Sequence, residues 1–137
     1  MADKNLRIDI VTPEGIVYSG AVQSCTAPGM DGQFSVLNNH TMLLAHLDIG
    51  ELRLEFQEGT RHMATSGGLL EVKENIISII VETAEWARDI DLERAKSAEK
   101  RARERLHSKE GVDHLRAQFA LARALNRIKV ASYIKMS

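Results

Sequence analysis

The hydrophobic period of this 137-residue chain changes once, near Glu82, and that change limits it to two bodies of different architecture. From Leu6 to Val81 apolar residues recur at a spacing near two, the repeat of a half-buried strand. Leu6, Ile8 and Ile10 alternate with Arg7 and Asp9, and Leu52, Leu54 and Phe56 alternate with Arg53 and Glu55. Turn chemistry falls between such runs: Thr12-Pro13-Glu14-Gly15, Ser19-Gly20, Pro28 to Gly32, Gln57 to Thr60, and Lys73-Glu74-Asn75. Many short strands without intervening helical patterns predict an antiparallel sandwich or barrel.

Beyond Glu82 the pattern is helical. No Gly or Pro stands between Val81 and Lys109, where Ala, Leu, Lys, Arg and Glu dominate. Asp91 suits an N-cap, with Ile90 before it placed to staple onto Ala95. Ala95, Ala98, Ala102 and Leu106 then share one helical face. After a Ser108–Gly111 link, a second helix is expected from about Val112 to Ala131. Its inner stripe is Ala117, Ala120, Ala124, Ile128 and Ala131, with Leu121 and Leu125 beside it. The pattern predicts two helices of ~24–30 Å joined as an antiparallel hairpin. Alanine permits close approach but removes little area from water, at ~25 cal/mol per Å². The seam is therefore thin, and the hairpin is expected to open and re-dock.

Charge divides at the same place. Residues 1–87 carry 5 Lys/Arg against 12 Asp/Glu, a net −7, whereas residues 88–137 carry 13 against 7, a net +6. Arg94, Arg101 and Arg105 share a side of the first helix, and Arg116, Arg123 and Arg127 share a side of the second. Such a cluster of guanidinium forks suits phosphate or carboxylate. The same arginines also suit a solvated, salt-laced face, or a stand-alone basic hairpin that binds nucleic acid or an acidic protein. Against nucleic acid stand an aromatic content of 4% and the lack of a finger, basic zipper or stacking platform.

The sandwich half offers little chemistry. His40, His46 and His62 lack metal-pair spacing, and Ser66-Gly67-Gly68 reads as a bulge or tight turn rather than a nucleophile elbow. Cys25 stands alone, a small buried side chain without a disulfide partner. No apolar run follows a basic start, which predicts no secretory signal. The longest apolar stretch, Ile76–Val81, is far short of the ~20 residues of a membrane span. These readings point to a non-enzyme.

Several segments, in order, resemble the epsilon subunit family of F-type ATP synthases: Ile10-Val11-Thr12-Pro13-Glu14-Gly15, Val17-Tyr18-Ser19-Gly20, Ser66-Gly67-Gly68 with Glu71-Val72, and Glu82-Thr83-Ala84-Glu85. The resemblance implies a non-catalytic central-stalk subunit at the cytoplasmic face of the cell membrane, peripheral and without direct membrane insertion. It implies an N-terminal antiparallel β-sandwich, residues 1–87, bound to the gamma subunit and the c-subunit ring. It further implies a C-terminal antiparallel two-helix hairpin, residues 88–137, that inhibits ATP hydrolysis when extended toward an acidic segment of the beta subunit. Nucleic acid is not among the partners.

Some bacterial members of that family bind ATP on the folded hairpin through Ile-Asp, two variable residues, Arg-Ala and a basic residue. Ile90-Asp91-Leu92-Glu93-Arg94-Ala95-Lys96 matches every fixed position. Glu85, Arg101, Arg123 and Arg127 fill associated positions. The resemblance thus implies Glu85, Ile90 and Asp91 toward base and ribose, Ala95 in the motif, and Arg94, Arg101, Arg123 and Arg127 toward phosphates. ATP is then a regulatory ligand held without Mg²⁺ or hydrolysis; no cofactor is required. One loop departs from the family pattern: in Phe34–Met42, Ser35, Asn38 and Met42 replace an expected Gly and two prolines, while His40 is retained as a structural residue.

Overall fold

The structure, a computed structural model, describes residues 5–108 and 113–136, with side chains as far as Tyr133. Ten strands precede the helices: β1 Arg7–Thr12, β2 Gly15–Ala21, β3 Ser24–Gly29, β4 Gly32–Leu37, β5 Leu43–Leu47, β6 Gly50–Phe56, β7 Gly59–Thr65, β8 Gly68–Lys73, β9 Ile76–Val81 and β10 Ala84–Trp86. A 3-10 turn, Ala87–Asp89, leads into helix α1, Leu92–His107, and then α2, His114–Met136. The link expected at Ser108–Gly111 lies outside the described residues from Lys109 onward, as does Val112, the expected start of the second helix.

One layer runs β10-β7-β6-β3 with β4 on the far side of β3, the other β5-β8-β9-β1-β2. They join where Gly29 of β3 meets Leu47 of β5. Period two does what it must: alternate residues turn inward from both layers. Cys25, Ala27, Val36, Leu52, Leu54 and Met63 meet Leu6, Ile8, Ile10, Leu70, Val72, Ile77 and Ile79 in one core. All pairings are antiparallel except β1 with β9, where Ile8 and Ile10 lie beside Ile77 and Ile79 in parallel register. Burial of Cys25 pushes its thiol pKa from 9.0 up to about 12, since a thiolate there would lack solvation.

The strand β5 carries no alternating signal, because Leu44, 68% exposed, faces outward as Leu47 faces in. The atypical loop before it is fastened by a pair of asparagines in left-handed conformations. Asn39 N donates to Asn75 Oδ1 at 2.6 Å, and Asn75 Nδ2 donates to Asn39 Oδ1 at 3.3 Å. A side-chain clasp to the β8–β9 turn thus stands where proline stiffness is expected. At the Ser66-Gly67-Gly68 turn, any Cβ on Gly68 would overlap the Ile80 carbonyl, so the backbones approach too closely for another residue.

The outer face of the β3–β6–β7–β10 layer receives the hairpin. The helix α2 lies against β6, β7 and the 3-10 turn, while α1 packs on α2. The seam is built from Ala95, Ala102, Ala117 and Ala124, all buried, with Ala98 and Ala120 half-buried. Helix α2 has a second contact side that the alanine stripe does not reveal. Val130 is fully buried there, with Ala131, against Ala64, Ala87 and Ile90. This cluster is separate from the sandwich core, and small.

Candidate anion-binding cleft between sandwich and hairpin

Local chemistry starts both helices. Asp91 stands in an extended conformation before α1, its Oδ1 accepting the Arg94 N–H at 3.1 Å and its carbonyl the Ala95 N–H at 3.0 Å. Asp113 repeats this ahead of α2, accepting from Arg116 N at 3.1 Å. Both caps satisfy N–H groups that the first turn leaves orphaned.

Between the β1–β2 turn, the β9–β10 corner and the two helices lies an open cleft of about 790 Å³. Four of the eight expected site residues line it: Glu85 from β10, Arg94 from α1, and Arg123 and Arg127 from α2. The other four stand elsewhere. Ile90 is buried in the small cluster with Val130 and Ala131, Asp91 is engaged as the N-cap, Ala95 is sealed in the helix seam, and Arg101 is exposed outside the cleft. Arg101 lies seven residues, nearly two turns, beyond Arg94, which carries it past the cleft.

Within the cleft, Arg127 grips Glu85. Its Nη2 donates to Oε2 at 3.1 Å, and its Nε lies 2.7 Å from Oε1. The Nε approach is an ion-pair contact rather than an aligned hydrogen bond, since that buried N–H has no acceptor in line with it. The Nη2 bond therefore supplies the direction and both contacts supply charge. Next to it, Asn126 Nδ2 donates to the Gly50 carbonyl at 2.8 Å and Tyr133 stacks on His62, ring centres 4.1 Å apart. His62 in turn meets Glu51 at 2.7 Å through Nδ1.

The charge around the cleft is segregated by origin. Its carboxylates, Glu14, Glu82 and Glu85, come from the sandwich, and its guanidiniums, Arg94, Arg123 and Arg127, from the hairpin. Glu14 and Glu82 were not expected at a site, although the −7 of the first 87 residues was their signal. Chemically the cleft offers the guanidinium forks of Arg94 and Arg123 to a polyanion, beside an Arg127 held by Glu85, and its described residues include no nucleophile–base pair. No group of three or more His, Cys, Asp or Glu among the described residues is placed to hold a metal. No described helix is long and apolar enough to cross a membrane.

Comparison with known proteins adds to this geometry. Residues 5–87 match the family model "ATP synthase, Delta/Epsilon chain, beta-sandwich domain", and residues 88–132 match "ATP synthase, Delta/Epsilon chain, long alpha-helix domain". The chain is 46% identical over 129 residues to the ATP synthase epsilon chain of Nitratidesulfovibrio vulgaris, covering 93% of this chain and 96% of that one. It is 45% identical over 129 residues to the epsilon chain of Desulforamulus reducens, covering 93% and 98%. A chain in the cryo-EM structure of the Euglena gracilis mitochondrial ATP synthase (OSCP/F1/c-ring) shares the fold, with a TM-score of 0.77 at 20% identity over 100% of this chain and 84% of that one.

Proposed function

The chain belongs to the delta/epsilon chain family of ATP synthases, and from that premise we propose that its hairpin is a brake on ATP hydrolysis whose folded state is favoured by ATP bound in the cleft. Membership makes it a non-catalytic stalk subunit of a membrane-associated complex that serves ATP synthesis and ion transport. It displaces the stand-alone nucleic-acid module as a reading.

In the proposed arrangement the sandwich holds the gamma subunit and the c-subunit ring at the cytoplasmic face, and the released hairpin meets an acidic segment of the beta subunit. One observation carries the nucleotide reading: Arg94 of α1 and Arg123 and Arg127 of α2 converge on one cleft. A triphosphate spanning them ties the two helices together across a seam that alanine alone holds weakly. Charge-assisted hydrogen bonds from the forks serve this role without a metal ion. Asp91 and Ile90 act at one remove, by fixing the start of α1 and its seat on the sandwich.

Magnitudes set the character of the switch. A ligand at a hundredfold excess over Kd stabilises the state it binds by about 2.7 kcal/mol. Moving a two-state equilibrium from 1:99 to 99:1 takes about 5.5 kcal/mol. ATP therefore biases the hairpin and the acidic partner shares the decision. The test is titration of the isolated protein with ATP by NMR, in wild type and Arg94→Ala. Shifts clustered on Arg94, Arg123 and Arg127, with weaker binding by the variant, are expected. An unchanged isotherm in the variant refutes the site.

A further inference from the structure

The hairpin meets the sandwich through a short run of α2: Asn126 on the Gly50 carbonyl, Arg127 on Glu85, Val130 and Ala131 in a small apolar cluster, and Tyr133 on His62. Most of the apolar partners are alanines, so the area they remove from water is small. The Arg127–Glu85 contact differs in kind. It is two-pronged, joins residues 42 apart in sequence, and has side chains only 25% and 33% exposed, so solvent screens it incompletely. It is also, among the described residues, an ion pair between the acidic sandwich and the cationic hairpin, amid Glu14 and Glu82 on one side and Arg94 and Arg123 on the other.

We infer that Glu85 and Arg127 form a latch that holds the folded hairpin on the sandwich in the absence of any nucleotide. The −7 and +6 halves are then complementary partners within one chain, drawn together at this contact. Arg127 has a single fork. While Glu85 occupies it, that cation is withheld from any other acidic surface, so hairpin docking and the offer of Arg127 to a partner are alternatives. This role goes beyond the nucleotide reading and stands without it: the latch is a property of the empty protein, whereas the nucleotide site is judged by ATP titration.

The experiment is native-state hydrogen exchange on the full-length, nucleotide-free protein. In Glu85→Gln, a near-isosteric loss of charge, amides of Val130 and Ala131 are expected to exchange about tenfold faster, the equivalent of about 1.4 kcal/mol. Amides of Ile8 and Ile79, in the separate sandwich core, are expected to keep their rates and so report that the variant is folded. Raising salt to about 0.5 M is expected to speed α2 exchange in wild type but not in Glu85→Gln, since only the wild type has the pair to screen. The charge-reversed double variant, Glu85→Arg with Arg127→Glu, is expected to restore most of the protection. Exchange in Glu85→Gln within twofold of wild type, or no rescue by the reversal, overturns the latch.

Discussion

Val130→Ala isolates how firmly the hairpin is docked. Val130 is fully buried among Ala64, Ala87, Ile90 and Ala131, with Leu92 packed against the cluster, and the three alanines are too short to fill the space vacated. Removing two methyl groups forfeits about 1.6 kcal/mol of transfer energy at about 0.8 kcal/mol each. The residual cavity adds about 24 cal/mol per Å³, which brings the cost to roughly 2–3 kcal/mol. Because this cluster shares no residue with the sandwich core, that cost falls on docking. At tenfold per 1.4 kcal/mol, the ratio of released to docked hairpin rises roughly 30- to 140-fold. Native-state hydrogen exchange reads it directly: amides around Val130 accelerate by that factor while those of Ile8, Ile77 and Ile79 do not move. Equal acceleration in both sets refutes the reasoning, since hairpin and sandwich would then open as one unit. No acceleration in α2 refutes the claim that the small cluster holds it.

Removing residues 88–137 is expected to leave a folded sandwich that still assembles, because no described residue beyond Trp86 packs into its core; ATP hydrolysis by the assembled complex is expected to rise, as a steady-state ATPase assay checks. In the complex, Arg94→Ala is expected to favour the inhibited state at a given ATP concentration, read as lower steady-state ATPase activity than wild type. Cys25 makes stability fall at alkaline pH. Its folded pKa of about 12 exceeds the unfolded 9.0, so between those values the unfolded chain has lost a proton that the folded chain keeps. The contribution diminishes as pH rises above 9, by up to about 1.4 kcal/mol per unit, and Cys25→Ala, compared by urea denaturation at pH 8 and 10.5, removes that slope.

Much of the fold is legible in the chain because its rules are local. Alternation placed Leu6, Ile8, Ile10, Leu52 and Leu54 inside, and all five are buried. Asp91 does cap α1, since an N-cap acts within three residues, and the alanine seam follows from helical spacing alone. Where alternation fails, so does the reading: β5 has leucines on both faces, and its existence shows in its pairing with β8 and, at Leu47, with β3. The second side of α2 was likewise hidden, because Val130, Tyr133 and Ala131, the last expected on the inner stripe, serve the sandwich while Ala117 and Ala124 serve α1, and a single stripe describes only one neighbour. The cleft followed the same division. Arginine spacing showed which cations share a side of each helix. It did not show that Arg101 stays outside while Glu14 and Glu82 enter.

By itself, then, the sequence determined two bodies, most of their elements, the inward faces of the alternating strands, their opposite charges and an alanine seam, each the product of neighbours within a few residues along the chain. Tertiary structure alone decided the parallel pairing of β1 with β9, the seat of α2 on the β6–β7 face, and the partner of Arg127. The physical reason is distance along the chain. An ion pair between residues 85 and 127 depends on where two independently specified bodies come to rest against each other, and no local periodicity encodes that.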